Sequence, residues 1–193
     1  MSGLGYSIFD TGIGRCGIAW SYAGVMGVQL PEVREIETRK RLFQLYPDAR
    51  EQRPPLNTEI AIEGITALLR GESCDFSDVT LDMSGIHAFH QRVYEFTRTI
   101  PRGETLTYGE VAARLRLSGA VHAVTQALAR NPFVIIVPCH RVLDAGSYAD
   151  RISPHGGVIS KRRLLSIEGA RGPTTSKTLF DVLLPVAPPR PQG

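Results

Sequence analysis

The chain has 193 residues, which is enough for one domain or two small ones. Apolar residues make up 42% and charged residues 21%, a balance that excludes an intrinsically disordered chain. No stretch approaches the roughly 20 consecutive apolar residues of a membrane span, and the first ten residues lack the basic start and apolar run of a secretory signal. We therefore expect a soluble cytoplasmic protein.

Cysteine and charge distribution narrow the class further. The three cysteines cannot all pair and have no metal-ligand spacing with the five histidines, so we expect free thiols and no metal site. Residues 1–100 carry 10 Lys and Arg against 13 Asp and Glu, whereas residues 101–193 carry 12 against 6. This asymmetry indicates an anionic partner for the C-terminal half, and chance clustering on solvated faces is the alternative.

The first third of the chain favours strands followed by helices. Short β-prone runs separated by Gly-rich turns predict a small antiparallel sheet, and apolar residues at helical spacing then predict two helices. The predicted strands cover residues 6–9, 16–20, 25–30 and 76–81, and the predicted helices cover residues 32–45 and 58–69. We interpret residues 1–85 as a sheet-and-helix domain.

From residue 86 the pattern becomes helical. The spacing predicts a helix over residues 90–99, and Thr107 followed by Glu110 is the signature of a capping box at the start of the next helix. A further helix is predicted over residues 121–130 after a short turn, which is the helix-turn-helix pattern of many DNA-binding proteins but also of unrelated helix pairs. We expect a second domain over 86–170, followed by a Pro-rich tail over 171–193.

The segment that carries chemistry is an apolar run leading into Pro138-Cys139-His140-Arg141. Cationic neighbours favour a thiolate, and His is the side chain best suited to move a proton near neutral pH. A buried, unreactive core thiol is the alternative for a Cys after a β-like run. Cys16 and Cys74 have no such neighbours, and we interpret them as ordinary thiols.

A basic helix is predicted from residue 158 to a stop at Gly169. Its three consecutive cations, Lys161 to Arg163, are suited to phosphate contacts or to a solvated helix face. Glu168 lies at the C-terminal end of this helix, where the helix dipole disfavours an anion. Its carboxylate is therefore expected to have a side-chain partner, and His140 is a candidate.

Over residues 88–170 the chain resembles the O6-alkylguanine-DNA alkyltransferases. The residues that carry this resemblance are Tyr108, Asn131-Pro132, Pro138-Cys139-His140-Arg141-Val142, Gly156-Gly157, Lys161, Leu164-Leu165 and Glu168-Gly169. The resemblance implies binding of double-stranded DNA through the minor groove, rotation of the damaged guanine out of the stack and alkyl transfer to Cys139. It also implies a protein that acts once and needs no cofactor. We expect a monomer, associated with the nucleoid if the source is a bacterium.

The resemblance assigns a role to five catalytic residues. Cys139 is the nucleophile, and His140, oriented by Glu168, takes the thiol proton through a water molecule. Tyr108 gives a proton to the departing purine. Asn131 ties the recognition helix to the cysteine loop.

The expected DNA face departs from the family pattern at two positions. Where the family usually has an Arg that inserts into the duplex, this chain has His122, which is shorter and carries less positive charge near neutral pH. Where the family usually has a Gly, it has Thr125. The remaining expected DNA contacts are Ala123, Ala127, Arg130 and Arg141. The expected substrate pocket consists of Pro138, Val142, Ile152, Ser153 and Gly156. The loop from Leu143 to Pro154 is about two residues longer than is common in the family.

These observations predict an α+β protein that repairs O6-alkylguanine by stoichiometric alkyl transfer. The main alternative is an alkyl acceptor for a small molecule or a non-duplex donor, because His122 replaces the inserted Arg. A damage-binding protein without transfer would not need Cys139, His140 and Glu168. A transcription regulator that senses alkylation would usually need a further DNA-binding module.

Overall fold

The computed structural model describes residues 3–117, 119–144, 159 and 161–170. Its strands are β1 (Gly5–Thr11), β2 (Gly14–Ser21), β3 (Gly24–Gln29), β4 (Arg50–Glu51), β5 (Leu106–Thr107) and β6 (Val142–Leu143). Its helices are α1 (Glu35–Leu45), α2 (Leu56–Leu69), α3 (Ala88–Arg98), α4 (Tyr108–Arg114), α5 (Val121–Ala129) and α6 (Lys161–Glu168). Within these ranges, no helix has the length and apolar character to cross a membrane. The α+β class predicted from the sequence is confirmed.

The N-terminal half is a four-stranded sheet with strand order β3-β2-β1-β4. β1 pairs antiparallel with β2, and β2 pairs antiparallel with β3, so the predicted antiparallel sheet is confirmed. The short β4 adds a parallel edge, which the sequence did not predict. α1 and α2 pack on this sheet, and Ala61, Ile65 and Leu68 of α2 are buried at that contact.

The strand predicted over residues 76–81 is wrong. This segment is a turn and a loop with one bridge, between Leu81 and Val25. Side chains bind backbone groups of this segment: Asp75 accepts from the Ser77 amide, and Asn57, 23 positions earlier than Thr80, both donates to and accepts from the Thr80 backbone. Side chains that bind nearby backbone groups in this way compete with sheet formation.

The C-terminal half packs its helices against the same core as the sheet. The amide of Val28 in β3 donates to the carbonyl of Pro132 at 2.8 Å, which joins the sheet to the segment before Cys139. Phe133 and Tyr94 meet edge to face, and the Tyr94 hydroxyl donates to the Ala127 carbonyl at 2.9 Å. One apolar core therefore extends through both halves. The proposed boundary between residues 85 and 86 stays a prediction.

α4 and α5 are the predicted pair of short helices. Thr107 accepts from the Glu110 amide at 3.1 Å, and the Glu110 carboxylate accepts from the Thr107 amide at 2.6 Å, so the predicted capping box is present. The chain then leaves α4 through two residues with positive φ, Arg116 and Gly119. α5 packs against both α3 and α4, which fixes its position relative to the rest of the C-terminal half.

Candidate active site

Cys139 begins a single 3-10 turn, Cys139–Arg141, directly after a buried apolar run. Within that run Ile135 has a φ of 75°, a left-handed conformation that a β-branched residue seldom adopts. The surrounding core holds this backbone, since Ile135 is almost fully buried. The Cys139 side chain is itself only 1% exposed, so a reacting group must enter an enclosed site.

Asn131 joins the end of α5 to the cysteine loop. Its side-chain amide donates to the Val137 carbonyl at 2.9 Å, and its side-chain oxygen accepts from the Phe133 amide at 2.9 Å. Asn131 is fully buried, so both polar groups of the amide are used inside the protein. This geometry is what the sequence-based role of Asn131 requires.

His140 and Glu168 lie together although 28 positions separate them in the chain. The distance from His140 Nε2 to Glu168 Oε1 is 2.8 Å, and both side chains are completely buried. A carboxylate can only accept, so Nε2 carries the proton and Nδ1 holds the lone pair. Nδ1 has no hydrogen-bond partner among the described residues. The ring therefore presents one buried, unused basic nitrogen.

Electrostatics favour a neutral histidine beside an ionised glutamate. Burial lowers the pKa of His140 below its usual value of 6.5, against the opposing effect of the hydrogen bond to Glu168. Burial alone would raise the pKa of Glu168, but the hydrogen bonds from His140 and Arg141 outweigh it and lower that pKa to about 2. Because Arg141 already balances the carboxylate charge, a second cation on His140 would be unmatched.

Arg141 is part of this buried cluster and not of an exposed DNA face. Its guanidinium donates to both carboxylate oxygens of Glu168, at 3.0 and 2.8 Å, and to the Ile100 carbonyl at 2.6 Å. The DNA contact predicted for Arg141 finds no support in this geometry, because the guanidinium hydrogen bonds are turned inward. A buried arginine with a bidentate carboxylate partner instead fixes the position of that carboxylate.

Tyr108 is the first residue of α4, directly after the Thr107 cap, and is buried beside Lys161. Lys161 Nζ donates to the Tyr108 hydroxyl oxygen at 2.8 Å and to the Val142 carbonyl at 3.0 Å. The tyrosine oxygen accepts from the lysine, so its own O–H remains able to donate. The phosphate contact suggested for Lys161 is not available to this buried ammonium group, whereas Arg162 and Arg163 are exposed.

From the sequence, Lys161 has no catalytic role and only a suggested phosphate contact, although the pattern holds a signal for a buried position. Lys161, Leu164, Leu165 and Glu168 are spaced as one face of a helix, and these are the residues that α6 buries. A lysine on the same face as a required glutamate points inward. Adjacent positions on a helix face different directions, so Lys161 is buried although Arg162 and Arg163, next to it in the sequence, are exposed.

The recognition helix α5 exposes part of its expected DNA face. His122 and Arg130 are exposed, and Ala123 and Thr125 are half-buried. Ala127 is fully buried in the core, and its position on α5 faces α3 and not solvent. This geometry does not support the DNA contact predicted for Ala127.

The side chains on this exposed face bond within α5. Thr125 Oγ1 donates to the Val121 carbonyl at 2.9 Å, one turn earlier. His122 Nε2 lies 2.9 Å from Gln126 Nε2, also one turn away. The side chain at the inserting position is therefore tied to its own helix.

The expected substrate pocket is only partly described. Pro138 and Val142 are buried around the Cys139–Arg141 turn. Ile152, Ser153 and Gly156 lie outside the described residues. Pro138 lines a cavity of about 470 Å³ together with Arg98, Arg102 and Arg141, but Cys139 does not line it.

The other two cysteines differ from Cys139 in their surroundings. Burial raises the pKa of Cys16 to about 12, which keeps this core thiol protonated. Cys74 is half-buried, and burial also raises its pKa despite the nearby Arg141 and Arg102. Among the described residues, no group of three or more His, Cys, Asp or Glu side chains is placed to hold a metal ion.

Comparison with known proteins gives one family. The profile described as "6-O-methylguanine DNA methyltransferase, DNA binding domain" matches residues 88–170. The methylated-DNA–protein-cysteine methyltransferase of Methanothermobacter thermautotrophicus is 36% identical over 157 residues, which cover 79% of this chain and 78% of that protein.

Solved structures agree with this. The O6-methylguanine methyltransferase of Mycobacterium tuberculosis has a TM-score of 0.67 at 32% identity, covering 89% of this chain and 96% of that one. A second M. tuberculosis structure, of OGT in complex with DNA, has a TM-score of 0.63 at 30% identity and covers 84% of this chain and 91% of that one. With these matches and the buried cysteine, histidine and glutamate in place, the chain belongs to the methylated-DNA–protein-cysteine methyltransferase family.

Proposed function

We propose that this protein repairs O6-alkylguanine in double-stranded DNA by moving the alkyl group to Cys139 in a single turnover. The observation that carries the proposal is the buried pair of His140 and Glu168, which leaves one basic ring nitrogen unused directly beside Cys139 in the chain. A histidine held by a carboxylate and adjacent to a thiol is the arrangement that activates a nucleophile.

The proposed chemistry is one displacement. Nδ1 of His140 takes the proton of the Cys139 thiol through one water molecule, and Glu168 stabilises the imidazolium that forms. The sulfur attacks the alkyl carbon, so an S–C bond forms while the bond from that carbon to guanine O6 breaks. The departing guanine takes a proton from the Tyr108 hydroxyl, whose oxygen is held by Lys161. The resulting thioether is stable, so the protein is consumed.

The proposed DNA contact is the exposed face of α5 in the minor groove. Arg130 supplies positive charge at the end of this helix, and the excess of basic residues after residue 100 favours DNA there. His122 is exposed where the family usually inserts an Arg, and it fills the space of the rotated guanine less completely. We propose that this slows base rotation and does not redirect the protein to a small molecule. We further propose that it acts as a monomer in the cytoplasm.

The test separates binding from transfer with Cys139→Ser. Wild-type protein is titrated against duplex DNA carrying one O6-methylguanine, and the lesion that remains is measured. We expect loss of one lesion per protein molecule, and no loss with the variant at a DNA dissociation constant within about twofold of wild type. Transfer by Cys139→Ser, or several lesions repaired per protein, would contradict the proposal.

A further inference from the structure

Two helices from the two halves of the protein end at the same place. α2 ends at Leu69 and α6 at Glu168, and each is followed shortly by a glycine with positive φ, Gly71 at 85° and Gly169 at 69°. Both ends have the Schellman pattern of hydrogen bonds, in which the backbone folds back on the last turn. A Cβ added to Gly71 would lie 3.6 Å from the Ile167 carbonyl oxygen, so the two ends are in close contact.

The Arg102 guanidinium binds both helix ends. It donates to the Gly71 carbonyl at 2.5 Å and to the Glu72 carbonyl on the α2 side. On the α6 side it donates to the carbonyls of Ile167 and Glu168, each at 3.2 Å. Helix C-termini carry partial negative charge, so two that meet repel one another, and a cation between them removes this repulsion.

One of these four carbonyls belongs to Glu168 itself. Arg141 fixes the carboxylate of Glu168 through two hydrogen bonds, and Arg102 fixes its backbone. The Glu168 carboxylate in turn holds His140 at 2.8 Å. The guanidinium of Arg102 thus lies two contacts from the imidazole and connects it to the end of a helix in the N-terminal half.

We propose that Arg102 is a positioning residue for alkyl transfer, which sets Glu168 and thereby His140, and that the N-terminal half acts on the reaction through it. This rests on the proposed function. Displacement of an orienting group by a fraction of an ångström lowers the rate of a reaction that needs aligned atoms. Glu168 is the last residue of an eight-residue helix and precedes a glycine, so loss of the Arg102 hydrogen bond lets its backbone shift slightly while Arg141 still holds the carboxylate.

Arg98 provides a matched control. It lines the same cavity as Arg102 and also ties the two halves, by donating to the carbonyls of Phe76 at 2.5 Å and Val79 at 3.0 Å. Its described hydrogen bonds go to the 76–79 segment and not to α6. Loss of Arg98 therefore weakens the contact between the halves without releasing Glu168.

The experiment compares Arg102→Gln, Arg102→Lys and Arg98→Gln with wild type by two readouts. The first is the rate of methyl transfer at saturating O6-methylguanine duplex, with the DNA dissociation constant measured in parallel. The second, by NMR, is the rate at which the Nε2 proton of His140 exchanges with water. We expect Arg102→Gln to slow transfer and to speed exchange, each by roughly tenfold, with DNA affinity within about twofold of wild type.

Arg102→Lys keeps the charge but reaches fewer carbonyls, so both readouts should fall between those of wild type and Arg102→Gln. Arg98→Gln should leave both readouts near wild type. Equal effects of Arg98→Gln and Arg102→Gln, or an unchanged exchange rate in folded Arg102→Gln, would overturn the positioning role. If wild-type protein transfers no methyl group, the proposed function fails, and the exchange rates still decide the role of Arg102.

Discussion

The buried carboxylate of Glu168 binds two partners, His140 and Arg141. Glu168 therefore contributes both to the proposed reaction and to the stability of the fold. His140 needs it as an acceptor, and Arg141 needs it as a counter-charge. Removal of its charge therefore harms the reaction and the folded state at once.

We predict that Glu168→Gln lowers the free energy of unfolding by about 3 kcal/mol at pH 7, because it leaves the Arg141 guanidinium buried without a counter-charge. Urea denaturation of both proteins measures this. Glu37→Gln removes a surface partner of Arg34 and should cost much less, because solvent screens that pair. Similar losses for the two variants would mean that the buried pair contributes no more than a surface pair.

Acid should weaken the fold through Glu168 and His140. The pKa of Glu168 is about 2 in the folded protein, against an ordinary value of 4.5, so its stabilisation is complete above pH 4.5 and is lost as pH falls toward 2. The lowered pKa of His140 acts in the same direction, because the unfolded chain takes up a proton below about pH 6.5 that the folded site refuses. We expect the difference in stability between wild type and Glu168→Gln to fall by about half by pH 3.

Unfolding in urea at pH 7, 4.5 and 3 checks this. The difference between the two proteins isolates Glu168 from the other carboxylates of the chain, whose contributions are common to both. A difference that stays constant down to pH 3 would contradict the lowered pKa.

Among the elements, α5 is the one that we propose to contact DNA. Its inserting position holds His122, which bonds to Gln126 on the same helix. We predict that His122→Arg speeds repair of duplex DNA, because a longer, charged side chain fills the space of the rotated guanine and attracts phosphates. The rate at saturating O6-methylguanine duplex measures it, and His122→Ala serves as the control that shortens the side chain. No gain in folded His122→Arg would mean that this position does not limit the rate.

Elements with a periodic pattern and a defined cap were predictable. The sequence placed α4 through the Thr107 cap, and α2 through its apolar spacing, because these signals are local. Alternation over residues 76–81 predicted a strand and was wrong, since the partners that hold this loop, such as Asn57, are distant in sequence. A local pattern predicts which side chains face the core. It does not predict which distant side chains will hydrogen-bond to the backbone of that segment.

The residues of the candidate site were predictable where they belong to a recognisable sequence motif. They were less predictable where the role of a residue depends on a contact with a part of the chain that is distant in sequence. Cys139, His140 and Glu168 followed from the motif and the helix-end anomaly. Arg141 was placed on the DNA face because an arginine after a cysteine loop is equally compatible with phosphate and with a buried carboxylate. Arg102 had no signal, since its four acceptors are backbone carbonyls and carry no side-chain identity.

At the scale of the whole molecule, the two halves share one core and are in contact close to the Cys139–Arg141 turn. The sheet contacts the segment before Cys139, and the end of α2 contacts the end of α6. The N-terminal half is therefore in a position to affect the chemistry as well as the stability. This is a property of the assembled chain that neither half has alone.

The most direct test of the central claim is the intact mass of the protein after mixing with duplex DNA that carries one O6-methylguanine. We predict a gain of one methyl group, mapped to Cys139 by peptide fragmentation, and no gain with unmodified duplex or with Cys139→Ser. No gain from the modified duplex would contradict the account. A gain from free O6-benzylguanine base alone would then show that the nucleophile works and that duplex DNA is not its substrate.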